Sequence, residues 1–122
     1  DDGGAWKTLG RVGAFDWKIE ACPHTGGALA LSSHGNSETL HSAVWTGKAE
    51  ERGVHYFSST DGGAHWKHGT RLGGEFAQRS DLAARSAEIA AVWDETVGQT
   101  GAIFLARSKN RGTEWSTPIR LS

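Results

Sequence analysis

Short β-prone stretches of five to seven residues alternate along the chain with polar stretches rich in glycine, asparagine and aspartate. Glycine-containing loops between such stretches are typical of antiparallel connections. The pattern predicts two groups of four strands, over 27–32, 40–45, 54–58 and 66–72, and then over 81–85, 88–93, 102–107 and 115–121. We therefore expect an all-β protein made of two four-stranded antiparallel units.

One connecting stretch has an informative order of residue types. Between the third and fourth predicted strands, Ser59, Asp61 and Gly63 stand at every second position, and Trp66 follows three residues after Gly63. An aspartate can accept hydrogen bonds from backbone N–H groups just downstream, and glycine tolerates positive φ. The stretch predicts a tight turn that joins 54–58 to 66–72 in an antiparallel hairpin.

The same frame recurs twice, which indicates an internal repeat. Its second copy consists of Ser108, Asn110, Gly112 and Trp115, and a truncated copy of Asp1, Gly3 and Trp6 suggests that the chain begins inside a repeat. The three tryptophans lie 60 and 49 residues apart. This spacing is in the range of propeller blades.

A second echo supports the repeat. The triplet Ala-Val-Trp occurs at 43–45 and at 91–93, which are 21 and 22 residues before Trp66 and Trp115. We therefore expect the two triplets to occupy the same place in the two units. Four short strands in about 50 residues is the content of one β-propeller blade.

The frame Ser-x-Asp-x-Gly-x-x-Trp resembles the Asp box, or bacterial neuraminidase repeat, of sialidase-like β-propellers. The resemblance implies that each box joins the third and fourth strands of a blade and that its tryptophan packs into that blade. It divides the chain into the last strand of a preceding blade (1–12) and two blades (20–73 and 78–122). Propellers have 4–8 blades, so we expect the remaining blades to come from the rest of a longer protein or from other copies.

The boxes themselves are interpreted as structural. Asn110 stands where the other full box has Asp61, so a side-chain oxygen is kept and the charge is lost. Calcium binding and general acid catalysis both depend on the carboxylate. We therefore expect the box residues to shape the turn.

Charge and composition remove some classes of partner. The chain has 13 basic and 14 acidic residues, a net charge of −1 and a single cysteine. Such a balance gives no electrostatic case for binding nucleic acid, and no apolar run is long enough to insert into a membrane. One cysteine excludes a disulfide within the chain. An extracytoplasmic location, secreted or periplasmic, is implied by the resemblance alone.

The resemblance places a ligand face on the loops opposite the boxes, in segments 17–25, 46–52, 94–100 and 75–80. The candidates there for contact with a glycan or a protein partner are Trp17, His24, Lys48, Arg52 and Arg79. Aromatic and arginine side chains are common anchors of recognition surfaces. Trp17 has the alternative of packing against a neighbouring blade.

Cys22 and His24 flank Pro23 and raise the question of a metal site. A thiolate and an imidazole can ligate zinc, copper or haem iron, but two ligands are too few and no second pair has suitable spacing. A rigid proline turn with a buried thiol is favoured. A metal or redox accessory propeller is thus a distant alternative, and no cofactor is expected.

The enzymatic alternative is an exo-sialidase or a related glycoside hydrolase. Sialidases resemble one another in three arginines that hold the sugar carboxylate, a tyrosine nucleophile with its glutamate, an aspartate acid/base and an Arg-Ile-Pro motif. This chain has no Arg-Ile-Pro, and its only tyrosine, Tyr56, lies in a strand that leads into a box, where packing accounts for it. The sequence therefore favours a non-catalytic glycan- or protein-binding or scaffold module.

Overall fold

The computed structural model describes residues 3–20 and 24–122, and this part of the chain contains strands and no helix. The strands are β1 (Ala28–His34), β2 (Ser37–Thr46), β3 (Gly53–Ser59), β4 (Lys67–Leu72), β5 (Ala77–Arg85), β6 (Glu88–Val97), β7 (Thr100–Ser108) and β8 (Ile119–Arg120). Strands β1 to β4 form the first sheet and β5 to β8 the second, each antiparallel and in chain order. The predicted all-β class with two four-stranded antiparallel units is confirmed.

Both predicted hairpins across the repeated turns are present. In the first sheet β3 pairs with β4, and in the second β7 pairs with β8. The last strand is shorter than the predicted 115–121 because Pro118 has no N–H to give to the ladder. Backbone bonds continue on either side of it, from Ser116 N to Arg107 O (2.8 Å) and from Leu121 N to Ile103 O (2.8 Å).

The hydrophobic core lies between the two sheets. The first sheet contributes Ala43, Val54 and Tyr56, which occupy one face because Ala43 pairs with Tyr56 and side chains two residues apart share a face. The second sheet contributes Ile89 and Trp93 to the same buried cluster. Strand β5 contacts β1, β2 and β3 across this interface. The sheets thus stack face to face.

The two Ala-Val-Trp triplets lie in the second strand of their sheets, β2 and β6, as predicted, but their register relative to the turns differs by one residue. Ala43 pairs with Tyr56, three residues before Ser59, whereas Ala91 pairs with Ala106, two residues before Ser108. Because side chains alternate between faces, a shift of one residue turns the second triplet over. Relative to the turns, the two triplets therefore lie on opposite faces of their sheets.

The one-residue shift in register corresponds to a difference in which face of each sheet is buried in the contact between the sheets. When the two turns are aligned, Val54 corresponds to Ile103 and Tyr56 to Leu105. The first sheet buries the Val54 and Tyr56 face, while the second sheet buries its other face, which carries Ala106. The second sheet therefore packs onto the first in a head-to-tail sense, with non-equivalent faces in contact.

The segment predicted as the last strand of a preceding blade forms no strand in its described part, 3–12. A strand requires a paired neighbour, and here one backbone bond, from Gly10 N to Gly63 O (2.8 Å), ties the segment to the first sheet. Further along, Phe15 packs among His55, Phe57 and His68, with ring centroids 5.0 to 6.1 Å away. The segment therefore covers the β3 and β4 side of the first sheet.

Candidate functional site

The turn between β3 and β4 is closed by its own side chains. Ser59 Oγ accepts a hydrogen bond from Gly63 N (2.9 Å) and donates to Asp61 Oδ1 (2.8 Å). The same carboxylate accepts from the backbone N–H of His65 (2.9 Å), and Trp66 Nε1 donates to Gly63 O (3.0 Å). Gly63 adopts φ +93°, which explains the glycine at this place.

The turn between β7 and β8 has the same network at equivalent positions. Ser108 Oγ accepts from Gly112 N (2.8 Å) and donates to Asn110 Oδ1 (3.0 Å). That amide oxygen accepts from Glu114 N (2.9 Å), and Trp115 Nε1 donates to Gly112 O (3.1 Å). Gly112 has φ +83°. Two turns that share a residue frame therefore also share four hydrogen bonds.

The exchange of aspartate for asparagine is matched four residues downstream. In the first turn Asp61 Oδ2 lies 2.6 Å from His65 Nδ1, and in the second Asn110 Nδ2 donates to Glu114 Oε2 at 2.8 Å. Hydrogen bonds from the backbone and side chain of His65 and from Ser59 lower the pKa of Asp61 to about 2. The carboxylate oxygens of Asp61 are thus engaged within the turn.

The three box tryptophans differ in their surroundings. Trp66 and Trp115 are half-buried, and Trp115 packs edge-on against Tyr56 of the first sheet, with ring centroids 5.1 Å apart. Trp6 is 96% exposed and Gly3 is exposed as well, because 3–12 forms no strand that could bury them. Trp6 therefore packs into neither of the two sheets, and its packing in a preceding blade stays a prediction. Asp1 lies outside the described residues.

A buried chain of hydrogen bonds connects the two sheets, and nothing in the sequence pattern indicated it. Tyr56 Oη donates to Arg111 O (3.2 Å) in the second turn. That hydroxyl lies 2.6 Å from His41 Nδ1, and His41 Nε2 lies 2.8 Å from Ser32 Oγ. Since the tyrosine gives its proton to the carbonyl, His41 Nδ1–H donates to Tyr56 and Nε2 accepts from Ser32. Every member then has a partner.

Burial favours the neutral forms of the Tyr56 and His41 side chains. It raises the pKa of Tyr56 to about 12 and lowers the pKa of His41 below its usual value. The tyrosine is 1% exposed. A nucleophile must reach its substrate and lose its proton, and Tyr56 is placed for neither, so its contacts are those of a packing residue.

Lys48 and Arg52 lie in the loop between β2 and β3, as predicted, whereas Arg79 lies in β5 and not in a loop, so the prediction of loops over 75–80 and 94–97 is wrong. The candidates do not form one cluster of free charges. Lys48 pairs with Glu51 (Nζ to Oε2, 3.1 Å), and Arg79 pairs with Asp94 (Nη2 to Oδ2, 2.6 Å). The remaining positively charged or titratable candidates, His24 and Arg52, are exposed.

Trp17 is half-buried and meets Trp45 edge-on, with ring centroids 5.3 Å apart. A Cβ at Gly47 would collide with both rings, so this glycine allows the two indoles to meet at the end of β2. Contact with Trp45 therefore buries part of the Trp17 side chain. Cys22 lies outside the described residues, so the question of a metal site at Cys22 and His24 is addressed by the sequence alone.

A second histidine arrangement, also absent from the sequence predictions, lies under the N-terminal segment. His55 Nε2 is 2.7 Å from Glu51 O, and its Nδ1 is 3.0 Å from His68 Nε2. Burial, as the largest cause, lowers the pKa of His55. Within 3–20 and 24–122, no group of three histidine, cysteine or acidic side chains is arranged to hold a metal ion.

No protein-family model and no curated protein matches the sequence of the chain. Among the residues that the structure describes, no helix is long and apolar enough to cross a membrane.

Proposed function

We propose that this chain is part of a sialidase-like β-propeller, in which each of its two sheets is a blade and the 59–66 and 108–115 turns are Asp boxes. In this proposal the chain belongs to a non-catalytic module that binds a glycan or a protein partner. The binding surface consists of the loops opposite the boxes. Secretion or export to a periplasm, implied by the same resemblance, stays a prediction.

One observation carries the proposal: the same four hydrogen bonds close both turns, at the same corner of two sheets. Ser59 and Ser108 each hold the N–H of a glycine four residues on, and each gives its proton to the residue two positions on. A serine, an oxygen acceptor, a glycine and a tryptophan at these spacings are the residues of the Asp box.

The antiparallel topology supports the location of the binding surface. Because β3 runs from one end of the first sheet to the other, the loop before it lies opposite the 59–66 turn. That loop contains Lys48 and Arg52, and the connection into β5 approaches the same end. Propeller loops at one end of the blades converge around the central channel. In the proposed propeller, Lys48 and Arg52 therefore contribute to the binding surface.

Two further observations favour binding over catalysis. The hydroxyl of Tyr56 is buried and hydrogen-bonded between the sheets. Arg79, one of the two arginines expected on the ligand face, has Asp94 as its ion-pair partner. A carboxylate ligand would have to compete with Asp94 for this guanidinium.

Binding to an immobilised panel of glycans, with and without terminal sialic acid, tests the proposal. Replacement of an anchor residue costs more than about 1 kcal/mol, so we expect Arg52→Ala to weaken binding by about tenfold. Lys109→Ala is the matched control, because Lys109 is exposed in the turn at the other end. Equal loss in both variants would contradict the proposed surface.

Hydrolysis of a fluorogenic sialoside by the same preparation tests the non-catalytic part. We expect no turnover. Turnover that is abolished by Arg79→Ala would overturn this part of the proposal in favour of a glycoside hydrolase.

A further inference from the structure

Residues 10–17, which we call the strap, cross the β3 and β4 side of the first sheet. At one end Gly10 N donates to Gly63 O, and the two backbones lie so close that a Cβ at Gly10 would collide with that carbonyl. At the other end Trp17 packs edge-on against a tryptophan of β2. Between these ends lies Phe15, which is 8% exposed. Phe15 is therefore the central buried contact of the strap.

The surface under Phe15 is made of aromatic rings that contact one another. His55 and Phe57 face Phe15, with ring centroids 5.0 and 6.0 Å away, and His68 stacks on Phe57 at 4.7 Å. His55 and Phe57 are 6% and 4% exposed. The two imidazoles are hydrogen-bonded to each other, with His55 Nδ1 3.0 Å from His68 Nε2. The contact of Phe15 with the sheet therefore depends on these two histidines, the histidine pair, staying together.

The hydrogen bonds of the histidine pair define where its protons are. His55 Nε2 lies 2.7 Å from Glu51 O, and since a carbonyl only accepts, this nitrogen carries a proton. A neutral His55 then has a lone pair on Nδ1, to which His68 donates through Nε2–H. A first added proton fits on Nδ1 of His68, an exposed residue, and leaves this bond in place.

A second added proton does not fit. It would have to bind His55 Nδ1, which faces His68 Nε2 at 3.0 Å. Two N–H groups and two positive charges would then point at each other, and like charges at this distance disfavour the charged form. The doubly protonated pair therefore has to separate.

We propose that acid releases the strap: the second proton separates the histidine pair and removes the surface on which Phe15 packs. This goes beyond the proposed function and does not depend on it. The docked pair holds one added proton, whereas two separated imidazoles take up two, so release is coupled to the uptake of one proton. Free histidines titrate near pH 6.5. The ratio of released to docked strap should therefore rise by up to about tenfold for each pH unit below about 6.5.

Charged groups reach the histidine pair from three elements. Glu51 and its ion-pair partner Lys48 lie in the β2–β3 loop, Arg71 of β4 lies opposite His55, and Arg11 of the strap lines a cavity of about 250 Å³ beside the pair. Burial, as the largest cause, lowers the pKa of His55 below its usual value. Docking is thus fully favoured above pH 6.5, and this preference is lost as the pH falls below it.

The backbone on either side of Phe15 also favours release. Gly13 has φ 75°, and Asp16 has φ 48°, in the left-handed region where a residue with a side chain is strained. Asp16 lies between the two packed aromatic residues of the strap, Phe15 and Trp17. Release frees Asp16 from this conformation.

NMR spectra of the full chain between pH 8 and pH 5 test the proposal. The amide signal of Gly10 reports the strap, the ring C–H signals of His55 report its protonation, and the indole N–H of Trp115, bonded to Gly112 O, reports the second sheet. We expect the Gly10 and His55 signals to change together below pH 6.5 while the Trp115 signal is unchanged. A constant Gly10 signal would overturn the proposal, and so would a Trp115 signal that changes with the same midpoint, since the whole chain would then unfold.

His68→Gln is the decisive variant. The glutamine amide can donate to His55 Nδ1 and, after a flip, accept from the protonated form, and it never becomes charged. Its strap should therefore stay docked at pH 5, and a midpoint equal to that of the wild type would overturn the proposal. His65→Gln is the matched control, because His65 is exposed and pairs with Asp61 in the turn; it should release its strap like the wild type. Phe15→Ala should give the released signal already at pH 8.

Discussion

The hydroxyl of Tyr56 in the first sheet donates a hydrogen bond to the carbonyl of Arg111 in the turn of the second sheet. Arg111 is held in the left-handed region (φ 58°), where a residue with a side chain is strained, and its N–H bonds Ala87 O at 2.9 Å. The corresponding residue of the first turn is Gly62, which adopts φ 72° without that strain. The contact between the sheets therefore includes a strained backbone position.

Tyr56→Phe removes this bond and leaves the Nδ1–H of His41 and the carbonyl of Arg111 without their partner. Unsatisfied buried groups of this kind cost about 1–3 kcal/mol, and we expect the free energy of unfolding to fall by that amount in denaturant melts. Thr70→Val also deletes a hydroxyl, but an exposed one, and should change stability by less than about 0.5 kcal/mol. Equal stability of the wild type and Tyr56→Phe would contradict the buried chain of hydrogen bonds.

The three box tryptophans should differ in their contribution to stability. Trp66→Ala and Trp115→Ala should each destabilise the chain by about 2–4 kcal/mol, at or below the usual cost for a buried aromatic residue because both are half-buried. Trp6→Ala is the control. Trp6 is exposed, and its replacement should change the free energy of unfolding by less than about 0.5 kcal/mol. A large loss in Trp6→Ala would show that this residue packs in solution.

The serine of the first turn should matter more than the charge of its aspartate. Ser59→Ala removes the acceptor of the buried Gly63 N–H and should cost about 1–2 kcal/mol. Asp61→Asn keeps the oxygen that accepts from Ser59 and His65, as Asn110 does in the second turn, so a smaller loss is expected. Thermal melts with and without a calcium chelator give the comparison. If Asp61→Asn were the more damaging change, or the chelator lowered the melting temperature, the turn would have a charge-dependent role.

Much of the architecture could be predicted from the sequence because the turns are local. Ser59, Asp61 and Gly63 determine their own hydrogen bonds, and the same frame around Ser108 gives the same turn. Which face of each sheet is buried was not predictable from the Ala-Val-Trp triplets, because a shift of one residue reverses a face without altering composition.

The contacts between distant segments were not predictable either. The chain from Ser32 through His41 to Tyr56 depends on the cross-strand register and on the position of the second sheet. The ion pair of Arg79 with Asp94 joins neighbouring strands of the second sheet and depends on their register. The sequence predicted that Arg79 lies on a ligand face, but it did not indicate that Asp94 forms an ion pair with Arg79.

Tyr56 is the single tyrosine of the chain, so a pH titration of tyrosinate absorbance reports the pKa of this residue alone. Its pKa is raised from 10.0 to about 12 because burial disfavours the phenolate. A folded pKa above the unfolded one means that Tyr56 stabilises the fold fully below pH 10 and that this contribution is lost as the pH rises above it. Tyrosinate absorbance of the folded chain should therefore show a midpoint near pH 12, or a jump at unfolding. A midpoint near 10 under folding conditions would mean that Tyr56 is exposed.

The proposed function depends on the stacking of the two sheets, and hence on the claim that the turn of the second sheet contacts Tyr56 of the first. Gly112→Ala and Gly63→Ala test it as a matched pair. Both glycines have positive φ, so each substitution carries a similar backbone strain of about 1–2 kcal/mol. A Cβ at Gly112 would also collide with the Tyr56 ring and hydroxyl, whereas a Cβ at Gly63 would make ordinary contacts.

The direct measurement is the difference in unfolding free energy between these two variants, in the wild type and in the Tyr56→Phe background. Overpacking adds about 1–3 kcal/mol, so Gly112→Ala should be less stable than Gly63→Ala by that amount, and Tyr56→Phe should narrow the gap. Equal stability of the two glycine variants, unchanged by Tyr56→Phe, would contradict the stacking of the two sheets.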